Sequence, residues 1–401
     1  MTQTMMREPA GLAATAYSLS SRWPQFEQDE VEAATAVLAA GKVNALVHGE
    51  QTRAFEKEFA SFLGTVHAVA VSNGTVALEL ALRALGIGPG DEVIVPARSF
   101  FATVSCVVAV GATPVFADID RKTQNILPES AARMVSRATR AIICVHLGGL
   151  PCDVSGLQQL CGKEGLFLIE DCAQAHGAAI DGRMVGSFGD IAAFSFCTDK
   201  IISTGGEGGM VVTSSGKLWK RAFSYKDHGK DPDKIRQHAP GSRFRYIHDE
   251  FGSNFRMTEF QAAIGRRQLA KLPHWLGRRR RNAQALSEAL RDHPLCIVPS
   301  SAPGVMHAWY KYNLVIRVED LRERSSVEEI VDILRAQGIT CGTGSCPDMS
   351  QEAAFRTMPK REGDLPNAAW LGRRNLMLAV DHLFEPEQMR AIGDIAARTI
   401  A

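Results

Sequence analysis

FSFCTDKIISTGGEGGMVVT, residues 194–213, joins two apolar runs through a polar loop in which one lysine, Lys200, precedes a cluster of glycines. The second run, GMVVT, is short, β-branched and bounded by glycine, which reads as a buried strand. The first belongs to IAAFSF, residues 191–196. Back along the chain the same kind of run recurs at LFLIED (166–171), AIICVH (141–146), TPVFAD (113–118), EVIVP (92–96) and HAVAV (67–71). Amphipathic stretches such as TVALELALRALG (75–86) separate them, with Gly86 and Gly88 ending that helix. Strand and helix in alternation imply a largely parallel sheet of seven strands covered on both faces, with ligands at the carboxyl ends of the strands.

A lysine in such a loop is ordinarily solvated, and a buried one needs a partner or a covalent bond. The other strand ends show what it could serve. In VSNGTVALEL (71–80) a strand ends at Val71, and Gly74 and Thr75 open a helix whose free N–H groups suit a phosphate. Ser72, Asn73 or Thr75 could equally act as a simple cap there. In IEDCAQAHGA (169–178) Asp171 follows an apolar strand, so its carboxylate is expected to meet a cation or hydrogen-bond donors. Gln174 and His176 lie just beyond; a cap for the next segment, or a metal ligand without a cofactor, are the other readings of Asp171. Ser195 stands five residues before Lys200. In ARSFFAT (97–103) Phe100 and Phe101 start a helix, where an aromatic at the rim can stack on a planar ring, although packing in a core is the commoner use. Pyridoxal phosphate uses all these groups together: a lysine for its aldehyde, a carboxylate to keep its ring nitrogen protonated, a phosphate cradle and a stacking partner.

The 401 residues suffice for two domains, and we divide them into an N-terminal arm (1–25), a large domain (26–270) and a small C-terminal domain (271–401). The last carries a strand-like YKYNLVIRV (310–318) and a helix near 326–337. A polar, basic loop at 226–250 precedes MTEFQAAIGRRQLAKL (257–272), which has helical period. With a net charge of +1, the chain lacks a broad field for nucleic acid or an acidic membrane. The run Arg278–Arg281 reads as a solvated helix face. Nine cysteines without a CxxC pair or zinc-ligand spacing, and no secretory or membrane-spanning stretch, point to reduced thiols in the cytoplasm and to no metal.

In order along the chain, SNGTVALELALRALGIGPGDEVIVP, GATPVFADID, IEDCAQAHGA, FSFCTDKIISTGGEGGMVVT and FRMTEFQAAIG resemble the DegT/DnrJ-type aminotransferases. These are fold-type I pyridoxal-phosphate enzymes acting mainly on keto sugars linked to nucleotides. The resemblance runs from RWPQFEQDEVEAATAVLAAGKVN (22–44) to about residue 390. It implies an α/β large domain with a mostly parallel seven-stranded sheet between helices, and a smaller α+β C-terminal domain. It implies further that Lys200 bonds to the aldehyde of pyridoxal 5′-phosphate and shuttles protons, that Asp171 pairs with the pyridine nitrogen, and that Gln174 contacts the phenolic side. Gly74, Thr75 and Ser195 would hold the phosphate, with Phe100 at the stacking position. Asn254, in GSNFRM (252–257), would reach the phosphate of the neighbouring subunit in a homodimer with shared active sites.

A related branch that removes a hydroxyl carries histidine at the lysine position, so Lys200 argues for transamination. The expected reaction moves an amine, from glutamate, onto a keto sugar nucleotide. A keto cyclitol acceptor, or a non-catalytic pyridoxal-phosphate-bearing regulator, are the alternatives. Two stretches depart from the family: LAVDH (378–382) stands where LPVHP is usual, and CGTGSCPDMSQEAAF (341–355) where a YPVPLH-like stretch is usual. Both belong to the small domain, which in the family helps form the substrate side.

Overall fold

The structure, a computed structural model, describes residues 18–46, 48–237, 247–321 and 326–400. All seven expected strands are present. They lie side by side in the order His67–Val71, Gly209–Thr213, Ile191–Ser195, Phe167–Asp171, Thr139–Val145, Glu92–Pro96 and Thr113–Ala117. Gly209–Thr213 runs antiparallel to both its neighbours, and the remaining pairings are parallel. An eighth strand that the sequence did not suggest, Arg361–Glu362, adds in parallel to Thr113–Ala117. Two charged residues carry no periodic signal. Arg361 is fixed there instead by hydrogen bonds to Glu92 Oε2, at 3.0 Å, and to the Met134 carbonyl.

The strands read as continuous apolar runs because both faces are covered. Val69 and Val71 enter a core with Leu78, Leu82 and Val104, whereas Ala68 and Ala70 point the other way, toward Phe55, Phe59 and Phe194. Since Gly209–Thr213 is antiparallel to both neighbours, His67–Val71 and Ile191–Ser195 point in the same direction as the parallel strands. Their carboxyl ends therefore share one edge, where residues 72–75, 97–100, 171–174 and 195–200 come together.

A second, antiparallel sheet has the order Cys296–Ile297, Lys311–Ile316, Asn375–Ala379 and Cys341–Gly342. Its core joins Tyr312, Leu314, Leu376 and Leu378 to Leu334 of the expected helix Val327–Ala336 and to Ile392 of Pro386–Ile400. The helix Glu259–Leu290 connects the two sheets and runs uninterrupted past residue 270 and through Pro273. A proline there forfeits one intrahelical bond, but Leu269, Leu272, Trp275 and Leu286 are buried on either side of it.

The same helix corrects the expectation of a solvated Arg278–Arg281 face. Arg280 and Arg281 are exposed, but Arg279 falls on the stripe of Trp275, Asn282 and Leu286 and is buried. Its Nη1 donates to the carbonyls of Trp309, at 3.0 Å, and Val380, at 2.8 Å, and burial pushes its pKa down to about 10.

Residues 1–17 of the expected arm, and residues 238–246 of the basic loop, lie outside the described residues. The described end of the arm is docked. Ser21 Oγ donates to Asp381 Oδ2, and Trp23 packs edge-on against Trp275 and His382. Its indole N–H reaches the carbonyl of Lys200 at 2.8 Å. Among the described residues no helix is long and apolar enough to cross a membrane.

Candidate active site

A cavity of about 650 Å³ opens at this shared edge, and seven of the eight expected site residues line it: Gly74, Thr75, Phe100, Asp171, Gln174, Ser195 and Lys200. At one end Gly74–Leu85 begins. Of the three cap candidates in the sequence, Asn73 fills the role, its Oδ1 accepting the Val76 N–H at 2.9 Å. Thr75 is left with an exposed hydroxyl, and the amides of Gly74 and Thr75 precede the first intrahelical bond. Gly74 is required by proximity: a Cβ there would stand 2.5 Å from Ser195 Cβ and 2.9 Å from its Oγ. Gly209 serves the same turn, since a Cβ on it would meet the Asn73 carbonyl at 2.4 Å. A helix N-terminus, two hydroxyls and close backbone approach make a cradle that fits a phosphate. Gly74→Ala is expected to push Ser195 out of place and weaken cofactor binding by about tenfold or more, ~1.4 kcal/mol. Titrating the apoprotein with pyridoxal phosphate measures this, and unchanged affinity would remove the phosphate from this turn.

Asp171 ends its strand buried. Oδ2 accepts from Thr103 Oγ1 at 2.9 Å, Oδ1 accepts from the Ala173 N–H at 3.1 Å, and Thr103 Oγ1 lies 2.9 Å from Ser99 Oγ. It forms no ion pair among the described residues. Burial raises its pKa, opposed by the Thr103 hydrogen bond and the Ala173 amide. A protonated ring nitrogen in the cavity would supply the missing positive charge, so this donor set fits the cofactor. Gln174 is held by its Oε1, which accepts the Gly148 N–H at 2.7 Å. His176 turns away from the cavity into the core, beside Phe194 and Phe196, and burial pushes its pKa down to about 3. The two phenylalanines divide: Phe100 is 61% exposed at the rim, and Phe101 packs edge-on against Phe355.

Lys200 presents a side chain only 14% exposed. Its Nζ donates to Tyr310 Oη at 3.2 Å and lies 3.5 Å from Asp199 Oδ1, while Tyr310 Oη donates to Asp199 Oδ2. Burial, with the Asp199 charge adding, holds the Tyr310 phenol far above its usual pKa. Thr103, Asp199, Tyr310, Lys311 and Asn313 were not singled out in the sequence. Thr103 stands three residues beyond Phe100 in the quoted ARSFFAT, one helical turn on, and that spacing was the available signal. Tyr310, Lys311 and Asn313 lie more than a hundred residues from Lys200, and only the fold brings them to it.

Asn254, the eighth expected residue, is exposed and does not line its own chain's cavity. It forms a backbone bridge with Asp227. Of the departing stretches, CGTGSCPDMSQEAAF contributes Gly344 and Ser345 to the cavity wall. LAVDH does not line it. Asp381 anchors Ser21, and His382 stacks on Trp275 with centroids 4.2 Å apart, so these residues position the segment behind Lys200. Among the described residues, His146, Glu170 and Cys172 cluster as metal ligands would. Two of the three, His146 and Glu170, are already committed. His146 Nδ1 accepts the Cys152 N–H at 3.0 Å, so Nε2 carries the proton and donates to Glu170, at 3.1 Å. Glu170 also accepts the amides of Gly186, Phe188 and Gly189.

Residues 24–396 match the DegT/DnrJ/EryC1/StrS aminotransferase family. The chain is 38% identical to UDP-N-acetyl-3-dehydro-alpha-D-glucosamine 3-aminotransferase of Acidithiobacillus ferrooxidans, over 88% of this chain and 89% of that one. Among solved structures it is similar to the aminotransferase from Psychrobacter cryohalolentis, at 42% identity and a TM-score of 0.89, over 94% of this chain and 98% of that one. It is also similar to the E coli GDP-4-keto-6-deoxy-D-mannose-3-dehydratase with bound hydrated PLP, at 26% identity and a TM-score of 0.84, over 94% and 98% of the two chains. That fold thus hosts more than one reaction. The chain belongs to the DegT/DnrJ/EryC1/StrS aminotransferase family and is a pyridoxal-phosphate-dependent transaminase.

Proposed function

We propose that the protein transfers an amino group from glutamate to the ketone of a nucleotide-linked sugar, in amino-sugar biosynthesis, as a cytoplasmic homodimer with shared active sites. The observation that carries the chemistry is the pairing, in one cavity, of a half-buried lysine with a buried carboxylate that forms no ion pair among the described residues. Pyridoxal phosphate, when bound, supplies an aldehyde for amines and a protonated ring that draws electrons from the substrate's α-carbon. Asp171, fixed by Thr103 and the Ala173 amide, would hold the proton on the ring nitrogen. Gly74, Thr75 and Ser195 would hold the phosphate, Phe100 would cover a ring face, and Gln174 would offer its amide nitrogen to the phenolic oxygen. Lys200 Nζ would be the base that takes the proton from the substrate's α-carbon. Tyr310 and Asp199 aim the amine, and the Trp23 bond to the Lys200 carbonyl fixes its backbone.

Similarity to an aminotransferase named for a UDP-linked keto sugar supports the acceptor class, and the cavity volume suits a ligand of that size. The test is to load the protein with pyridoxamine phosphate and screen keto sugar nucleotides for return of the aldehyde-form absorbance. Discharge by a sugar nucleotide is expected; discharge only by an inosose would transfer the acceptor to the cyclitols. Nine cysteines, none of them disulfide-bonded, support the reducing setting.

The shared site has its own test. Lys200→Ala and Asn254→Ala, each inactive alone, should complement when unfolded together, mixed and refolded. In each hybrid one site receives both lesions and the other none, so about a quarter of all sites should recover under statistical pairing. If Asn254 served its own chain's site, every hybrid site would carry one lesion and mixing would restore nothing.

A further inference from the structure

The wall of the cavity contributed by the C-terminal part of the chain contains Asn313, Gly344 and Ser345, and Ser99 adjoins it. Beside them lies Arg98, 1% exposed and among the largest fully buried side chains of the protein. Its Nε donates to Gln124 Oε1 at 3.0 Å. Gln124 Nε2 donates onward to Asn375 Oδ1 at 2.8 Å, and Asn375 Nδ2 to the Thr343 carbonyl at 3.0 Å. This chain of amides pins one edge of the guanidinium. On the other edge, Nη2 is buried with no hydrogen-bond partner, and no carboxylate lies within ion-pairing distance among the described residues. The nearby thiol of Cys346, whose backbone bridges to Ser99, does not supply the charge, because burial and Glu352 raise its pKa. A buried guanidinium with a free edge and no counter-ion is strongly unfavourable unless a ligand completes it.

The route from the cavity to that edge passes Gly344. This residue lines the cavity at φ +89°, and a Cβ on it would stand 3.3 Å from Arg98 Nη2 and 2.6 Å from Asn375 Nδ2. Gly344 therefore puts no side chain of its own between the guanidinium and the cavity.

We propose that Arg98 is the carboxylate-binding residue of this active site, its free edge receiving an acid group of a substrate held in the cavity. The inference rests on the transaminase reading above. A planar fork with a vacant edge matches a carboxylate, which takes two parallel N–H bonds. The acid group has two sources, the amino donor or an acidic substituent on the acceptor sugar, and the experiment separates them.

Wild-type, Arg98→Gln and Arg98→Lys holoenzymes would be titrated with 2-methyl-L-glutamate, which keeps both carboxylates of the donor but has no α-hydrogen to lose. Binding is read by calorimetry and by cofactor absorbance. In parallel, the pyridoxamine-phosphate forms would be discharged with keto sugar nucleotides bearing either a neutral or a carboxylate group at the sugar's C6. If the donor supplies the group, Arg98→Gln should raise the dissociation constant for 2-methyl-L-glutamate by about 100-fold, far beyond its effect on discharge by the neutral sugar. If the acceptor supplies it, donor binding stays the same and preference for the acidic sugar collapses by a similar factor. Arg98→Lys, which keeps charge but loses the fork, should lose about tenfold in whichever arm responds, and it decides the matter if the glutamine variant fails to hold the cofactor. Both arms within twofold of wild type would overturn the assignment and leave Arg98 a packing residue. A wild-type enzyme that no amino acid converts would overturn the transaminase reading itself, and this inference with it.

Discussion

Replacing Lys200 with alanine is expected to slow amine transfer by about a thousandfold or more, a barrier increase of ~4 kcal/mol. In the proposed mechanism one side chain carries two functions, the bond to the cofactor's aldehyde and the proton transfer at the substrate's α-carbon, and alanine would remove both. Lys311 lines the same cavity, but it cannot substitute, because the pair that aims the amine, Tyr310 Oη and Asp199 Oδ1, is arranged around Lys200 Nζ. Single-turnover rates with glutamate measure the loss, alongside a melting curve showing that the variant is folded. A rate within tenfold of wild type would remove Lys200 from the chemistry.

Asp171→Asn is expected to keep the cofactor bound and slow proton removal by about 100-fold or more, ~2.7 kcal/mol. The amide can still accept from the Ala173 N–H through its oxygen. Thr103, 2.9 Å from Ser99 Oγ, can reverse its hydroxyl and accept from the new amide nitrogen. The site therefore keeps its shape. What it loses is the negative charge that holds a proton on the ring nitrogen, and with it the electron-withdrawing power of the ring. Rapid-mixing measurement of the glutamate half-reaction separates the two effects. Near-normal proton removal with intact binding would show that Asp171 only positions the cofactor.

Much of this arrangement was legible in the sequence because it follows local rules. Seven strands appear as β-branched runs between helical patterns, and the parallel topology then brings Val71, Asp171 and Ser195 to one edge. The residues just past those ends, Gly74, Thr75 and Lys200, could be named before any contact was known. What was not legible depends on contacts distant along the chain. Arg361–Glu362 joins the large sheet as a two-residue edge, too short and too polar to carry a period, and is held by the reach of Arg361 to Glu92. Trp23, assigned in the sequence to an N-terminal arm, gains its role only when its indole is seen on the Lys200 carbonyl. Arg279 sits in a run of four arginines, and helical phase separates it from its exposed neighbours only once Trp275 is known to face inward. Arg98, two residues before Phe100, was not singled out in the sequence; it is held by the amide of Gln124, which Asn375 holds in turn, and both lie far along the chain.

The proposed mechanism requires Lys200 to be the amine that bonds to the cofactor, and one measurement reads this directly. The holoenzyme is reduced with borohydride, digested, and the modified residue located by mass spectrometry. A single pyridoxyl adduct on Lys200 is the predicted result. An adduct on Lys311, the other lysine of the cavity, or on Lys226 or Lys230, would contradict it.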